Sequence, residues 1–249
     1  MDDIPLVSPE TYVVNLCKKR GFDRDEVTLS PTVILAMPLF VGIFKKWVDK
    51  VEKTVIKNHY KNQDDTVSLV KARMGAPLMA MTVEEMVALG GLKFVHLGFA
   101  GSICKELTMG DIVITRGALN ETGIPPLYGF GDCLIPSDPF LTDELIDFAK
   151  KESLQVYSGV HWCTDAPYRE TWTKVKKYAE EGALCVEMEG AALFSVSKYY
   201  RVPAAAVYVI TDVLEENGWQ LTGHSRKVLE GCKNVVNFLI AFVEDHHKR

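Results

Sequence analysis

Between Thr32 and Phe242, short apolar runs of strand length alternate with stretches whose apolar residues recur at helical spacing. That alternation constrains the fold more than any other feature. Strands separated by helices pair in a parallel or mixed sheet and carry the helices on its faces. The runs at 32–37, 67–72, 93–98, 112–115, 156–162 and 204–210 read as strands. Helical spacing covers 40–51, 78–89, 143–153, 168–181 and 226–242, with Gly90-Gly91 as a stop signal for the second. The Gly-, Pro- and Asp-rich stretch 120–139 reads as a long loop, and long ordered loops in compact domains are often functional. No linker, repeat or low-complexity segment breaks the pattern. The expectation is an α/β fold in one domain over residues 1–249, with 1–30 as an N-terminal extension packed on or near it.

Charge and cysteine usage narrow the function. A net charge of −5 without any dense Lys/Arg run argues against a nucleic-acid backbone as partner. The six cysteines show no C-x-x-C spacing, and Cys163 two residues after His161 is a pair rather than a metal-ligand cluster. No metal site is expected, and buried free thiols suit a reducing compartment. The N-terminus is acidic at Asp2 and Asp3 and lacks a signal-peptide pattern, and no apolar run reaches membrane-spanning length. A cytoplasmic protein without membrane partners is expected.

In open α/β sheets ligands sit beyond the carboxyl ends of the strands. Four such ends carry unusual residues: Arg73 to Pro77, His96 to Ser102, Glu187-Met188-Glu189 and Thr211-Asp212. Carboxylates set into an apolar run need a reason, because buried charge is costly unless it is paired. Glu187 and Glu189, two apart, lie on one side of an extended segment, where a carboxylate can accept both vicinal hydroxyls of a ribose. Equally, either can cap the helix that follows.

The order R-M-G-A-P (73–77), H-L-G-F-A-G-S (96–102), G-D-I-V-I (110–114), V-E-M-E-G-A-A (186–192) and V-I-T-D (209–212) resembles the nucleoside phosphorylase family. The resemblance is to the branch that holds the hexameric purine and uridine phosphorylases and the adenosyl-type nucleosidases, and it runs from about Pro31 to the C-terminus. It implies one α/β domain around a mixed, partly barrel-like sheet. It also implies cleavage of a nucleoside N-glycosidic bond with no metal or organic cofactor. The acceptor is phosphate in the phosphorylases and water in the nucleosidases. Carried onto this chain, Glu189 matches the carboxylate that binds the ribose hydroxyls and Met188 the methionine against the sugar. Asp212 matches the base-side acid. Arg226 stands near where the purine-specific branch keeps an arginine that pairs with that acid, and it also reads as a plain surface helix residue. On the base side, Trp162 or Tyr168 is a candidate for stacking, and Arg169 with Glu170 for the base edge. The alternative there is a helix start at Tyr168 capped by Thr164-Asp165. Asp212 with Arg226 points to purine and Arg169 to uridine, so the base stays open.

The acceptor side departs from the family. A G-D-P-x-R turn is replaced by Ala36-Met37-Pro38-Leu39-Phe40, a second phosphate arginine by His96, and a hydroxyl by Phe99. The glutamate that activates water in the nucleosidases is absent from the same region, where Leu39 and Phe40 stand. Arg73, Gly75, His96 and Gly98 are the remaining acceptor-side candidates. Histidine is a weaker phosphate anchor than arginine at neutral pH. Following the family, phosphorolysis to free base and ribose 1-phosphate is the first expectation. A nucleosidase is the second, and a nucleoside-binding relative with little turnover the third. A homo-oligomer, dimer or hexamer, is expected on the same resemblance.

Overall fold

The apolar run 204–210 is buried along its whole length, which places its strand at the centre of the molecule. In the computed structural model, which describes residues 5–131, 133–216, 218–221 and 225–247, eleven strands form one sheet. They are β1 (Thr32–Ala36), β2 (Val48–Lys50), β3 (His59–Asn62), β4 (Val67–Lys71), β5 (Lys93–Ser102), β6 (Ile112–Glu121), β7 (Leu134–Pro136), β8 (Tyr157–Thr164), β9 (Ala183–Glu187), β10 (Ala204–Glu215) and β11 (Gly218–Leu221). The helices are α1 (Pro9–Arg20), α2 (Pro38–Phe44), α3 (Ala76–Ala88), α4 (Pro139–Lys151), α5 (Trp172–Glu180), α6 (Gly190–Tyr199) and α7 (Arg226–His247). Residues 1–4 of the expected N-terminal extension lie outside the described residues, and α1 packs against α3.

Five strands close on themselves. β10 pairs with both β5 and β6, β6 with β8, β8 with β9, and β9 with β5. An open wing, β1-β4-β3-β2, continues from β5. The expected mixed, partly barrel-like α/β sheet is what the structure shows. Closure leaves the barrel strands without free edges, and their inward residues fill its core. Helix starts follow local chemistry: Ser8, Asp138 and Thr171 accept backbone N–H groups at the starts of α1, α4 and α5.

Several boundaries differ from the sequence pattern. The helix expected over 40–51 stops at Phe44, and the chain turns through exposed Lys45-Lys46 into β2, an edge strand that buries Val48 and exposes Asp49 and Lys50. The two glycines make 98–102 read as a turn in sequence, but β5 runs straight through these residues. The glycines there mark close approach. A Cβ on Gly98 would stand 2.7 Å from His96 Nε2, and one on Gly101 2.8 Å from Asp212 Oδ2. β10 likewise continues past Asp212, with a bulge between Ile210 and Asp212 that re-aims the strand. The stretch 120–139 holds a 3-10 turn, Pro125–Tyr128, and β7 paired to β6. Tyr168 sits in a separate 3-10 turn, Pro167–Arg169, and α5 begins only at Trp172.

Candidate active site

The carboxyl ends of β5, β9 and β10 surround a cavity of about 480 Å³. β9 delivers Glu187, Met188 and Glu189 to its wall, the bulged part of β10 delivers Thr211, Asp212 and Leu214, and β5 delivers Phe99 to Gly101. Both glutamates are buried, and they do different things. The Glu187 carboxylate accepts the backbone N–H groups of Glu189 (2.8 Å) and Gly190 (2.9 and 3.0 Å), so it closes the open N-terminus of α6. Its Oε1 also lies 2.9 Å from His161 Nε2, off the line of a straight hydrogen bond. Burial would raise the Glu187 pKa, but the His161 charge and these donors outweigh it and hold the carboxyl well below the usual range. Glu189 has one donor from another element, the Gly75 N–H at 2.5 Å. Burial first, and the Glu187 charge second, push its pKa up. Gly75 holds φ 91° at the start of α3, a conformation that favours glycine and turns its N–H toward the site.

Beneath the carboxylates lies a buried polar layer. His161 Nδ1 is 2.7 Å from Thr115 Oγ1, and Tyr208 packs edge-on against His161 and His96. His96 donates Nδ1–H to the Leu35 carbonyl at 2.9 Å, which leaves Nε2 as the lone-pair nitrogen. Nε2 has no protein partner, and burial lowers the His96 pKa. His96 therefore offers no fixed positive charge. The ligand atoms of His96, Glu187 and Glu189 lie within 4.8 Å of one another, as do those of His161, Cys163 and Glu187. Both clusters share Glu187, whose oxygens are already taken by the backbone of α6.

The acceptor side is apolar. Phe40 and Phe99 stack with ring centroids 4.6 Å apart at 25°, and Met37 borders the same end of the cavity. Arg73 turns away onto α3, where Nε donates to Thr82 Oγ1 (2.9 Å) and the guanidinium reaches Glu85 (3.3 Å). No Arg or Lys lines the cavity among the described residues. Of the four acceptor-side candidates, Gly75 meets Glu189 directly, His96 and Gly98 lie under the site, and Arg73 is not brought to it.

The base-side candidates also divide. Tyr168, 97% exposed, lines the cavity rim. Trp162 does not: it is buried, stacked on Tyr178 at 4.6 Å, with Nε1–H donated to Glu121 (2.9 Å). Arg169 is exposed and off the wall, and its neighbour Glu170 is on it. Arg226 does not reach Asp212. Its side chain is 92% exposed and bonds Glu230 one turn along α7 (2.9 Å). Asp212 is instead held by Thr211 Oγ1–H on Oδ1 and Trp219 Nε1–H on Oδ2, each 2.7 Å. Trp219 is the site residue that sequence reasoning missed. The signal was there in the sequence pair Asn217-Gly218, a dipeptide typical of hairpins, and β11 pairs antiparallel with the end of β10.

Comparisons with known proteins agree with this architecture. Among curated relatives, purine nucleoside phosphorylases of the DeoD type from Bacillus cereus and Bacillus cytotoxicus are 31% and 30% identical over 148 residues, 59% of this chain. The matched part spans 63% of those relatives' own length. Among solved structures, a purine nucleoside phosphorylase from Toxoplasma gondii superposes with a TM-score of 0.77 at 16% identity, covering 91% of this chain and 94% of that one. A uridine phosphorylase from Vibrio fischeri gives 0.73 at 18% identity, over 90% and 95% of the two chains. A 5'-methylthioadenosine/S-adenosylhomocysteine nucleosidase from Helicobacter pylori gives 0.70 at 18%, over 88% and 99%. These structural likenesses concern the fold. The model of the phosphorylase superfamily matches residues 32–245, nearly the whole barrel and wing. The chain belongs to the phosphorylase superfamily, the group of nucleoside phosphorylases and nucleosidases.

Proposed function

We propose that this protein cleaves the N-glycosidic bond of a purine nucleoside, with water as acceptor and no cofactor. The observation that carries the reading is the convergence of Glu189, Met188 and Asp212 on one cavity. Glu189 would hold the ribose hydroxyls, Met188 would pack on the sugar, and Asp212 would face the base. The relatives' names favour purine, and among the described residues no Arg, Asn or Gln lines the wall to read a pyrimidine edge. Phosphorolysis, the family's first expectation, is less well supported. Phosphate needs several donors in a charge-balanced cradle, whereas the acceptor end holds stacked Phe40 and Phe99 over a neutral His96.

The test is a purine and pyrimidine nucleoside panel with and without phosphate, followed by chromatography of base and sugar. Free ribose at a rate independent of phosphate is the expected result. Ribose 1-phosphate as the product would overturn the acceptor assignment, and absence of any base release would overturn the enzyme reading. On the family resemblance we also propose a homo-oligomer. A mass from light scattering equal to one chain would refute that.

A further inference from the structure

Asp212 is the residue that the resemblance casts as proton donor to the leaving base, but its two oxygens are both engaged as acceptors. The indole N–H of Trp219 can only donate, and the Thr211 hydroxyl lies nearer to Asp212 (2.7 Å) than to its other acceptor, the Ala100 carbonyl (3.4 Å). A second carboxyl stands on the same wall. Glu170 lines the cavity between Tyr168 and the start of α5, half-buried, its carboxyl accepting no hydrogen bond from the described residues.

We propose that Glu170, not Asp212, is the general acid that protonates the departing base, and that Asp212 is the fixed anion that positions it. The proposal rests on the nucleoside-cleaving reading above. In the step, the electrons of the C1′–N9 bond pass into the purine ring as Glu170 gives its proton to the ring at N7. Water then adds its oxygen to C1′ and returns a proton to the Glu170 carboxylate. Base and ribose leave neutral, and the enzyme is restored.

The surroundings of Glu170 suit that task. Asp212 on β10 and Glu121 on β6 face it with negative charge. The nearby cation, Lys174 on α5, is already bound to Glu121, which also takes the Trp162 N–H. Burial and the two anions push the Glu170 pKa up to about 7, against the weaker pull of Lys174. A carboxyl near the working pH can both give and regain a proton. Two neighbouring carboxyls in unlike environments, one filled as acceptor and the other free, divide acid and anion roles between them.

The experiment compares wild type with Glu170→Gln on inosine and on 7-methylinosine, whose base already carries positive charge and leaves without a proton. General acids contribute roughly 100-fold or more. Glu170→Gln should therefore cut kcat on inosine by roughly 100-fold, with KM little changed and a loss of only a few-fold on 7-methylinosine. For the wild type, kcat on inosine should fall as pH rises through about 7, because the acid must be protonated. The 7-methyl substrate should lack that limb. Equal losses on both substrates, or none on either, would overturn the proposal while leaving nucleoside cleavage intact. If Glu170→Gln does not fold, a wild-type inosine profile without the alkaline limb overturns it alone. A wild type that cleaves neither substrate removes the cleavage reading and this proposal with it.

Discussion

Glu187 and Glu189 stand two residues apart and make opposite demands on the fold. Glu187 is charged by its partners, whereas Glu189 is kept from charging by burial and by Glu187. The raised Glu189 pKa has a definite stability sign. Above its ordinary value of 4.5 the unfolded chain gives up this proton while the folded chain keeps it, so stability falls as pH rises toward the folded value. Glu189→Gln keeps an acceptor for the Gly75 N–H and removes that fall. Its Tm should match wild type near pH 5 and exceed it near pH 8, by about 2–4 °C for each kcal/mol released. Thermal melts at the two pH values decide it, and a variant less stable at both would contradict the assignment. Glu189→Ala should sharply weaken nucleoside binding, as read by calorimetry. In the sequence, cap and ribose ligand compete as readings of one motif. The structure gives the cap to Glu187 and leaves Glu189 facing the cavity, a division set by where β9 ends and invisible in residue spacing. Arg226 and Trp162 are kept from the cavity for a similar reason: a helical neighbour at i+4 holds the first, in keeping with its surface-helix reading, and a stacking partner from α5 holds the second.

α6 begins on top of the buried polar layer, and Gly190 is its first residue. A Cβ there would run into His161 and stand 2.7 Å from the Tyr208 hydroxyl. Neither ring can retreat, since both are packed among buried neighbours. Gly190→Ala should destabilise by about 1–3 kcal/mol through overpacking, measurable by chemical denaturation. A neutral result would mean that the layer is softer than its packing implies. Strand and helix identities were largely legible because periodicity reports which face is buried. The glycines of β5 were less so. In sequence, Gly98 and Gly101 look like turn residues, and only the Tyr208 ring and the Asp212 carboxylate facing them show that they make room. The hairpin β2–β3 was missed because an edge strand of three residues, with one buried, carries too little pattern to detect.

At the scale of the molecule, β5 belongs to both the closed ring and the wing. Neither part can lose its pairing to β5 without exposing the other. The described residues are therefore expected to melt in one transition, as one domain, with calorimetric and van't Hoff enthalpies in agreement. Two resolved transitions would show that the wing is a separate unit. No helix among the described residues is long and apolar enough to cross a membrane. The barrel was expected from the family resemblance, while alternation alone pointed only to a parallel or mixed sheet, because closure depends on β10 pairing on both edges. The four tryptophans are distributed unevenly with respect to the cavity. Trp219 lines it, 61% exposed, with its indole N–H on Asp212, whereas Trp162 is sealed against Tyr178. A base entering beside Asp212 would change the solvent around one indole only. The protein thus carries its own optical reporter, and a blue-shifted emission that disappears in Trp219→Phe would titrate site occupancy without a label or a turnover assay.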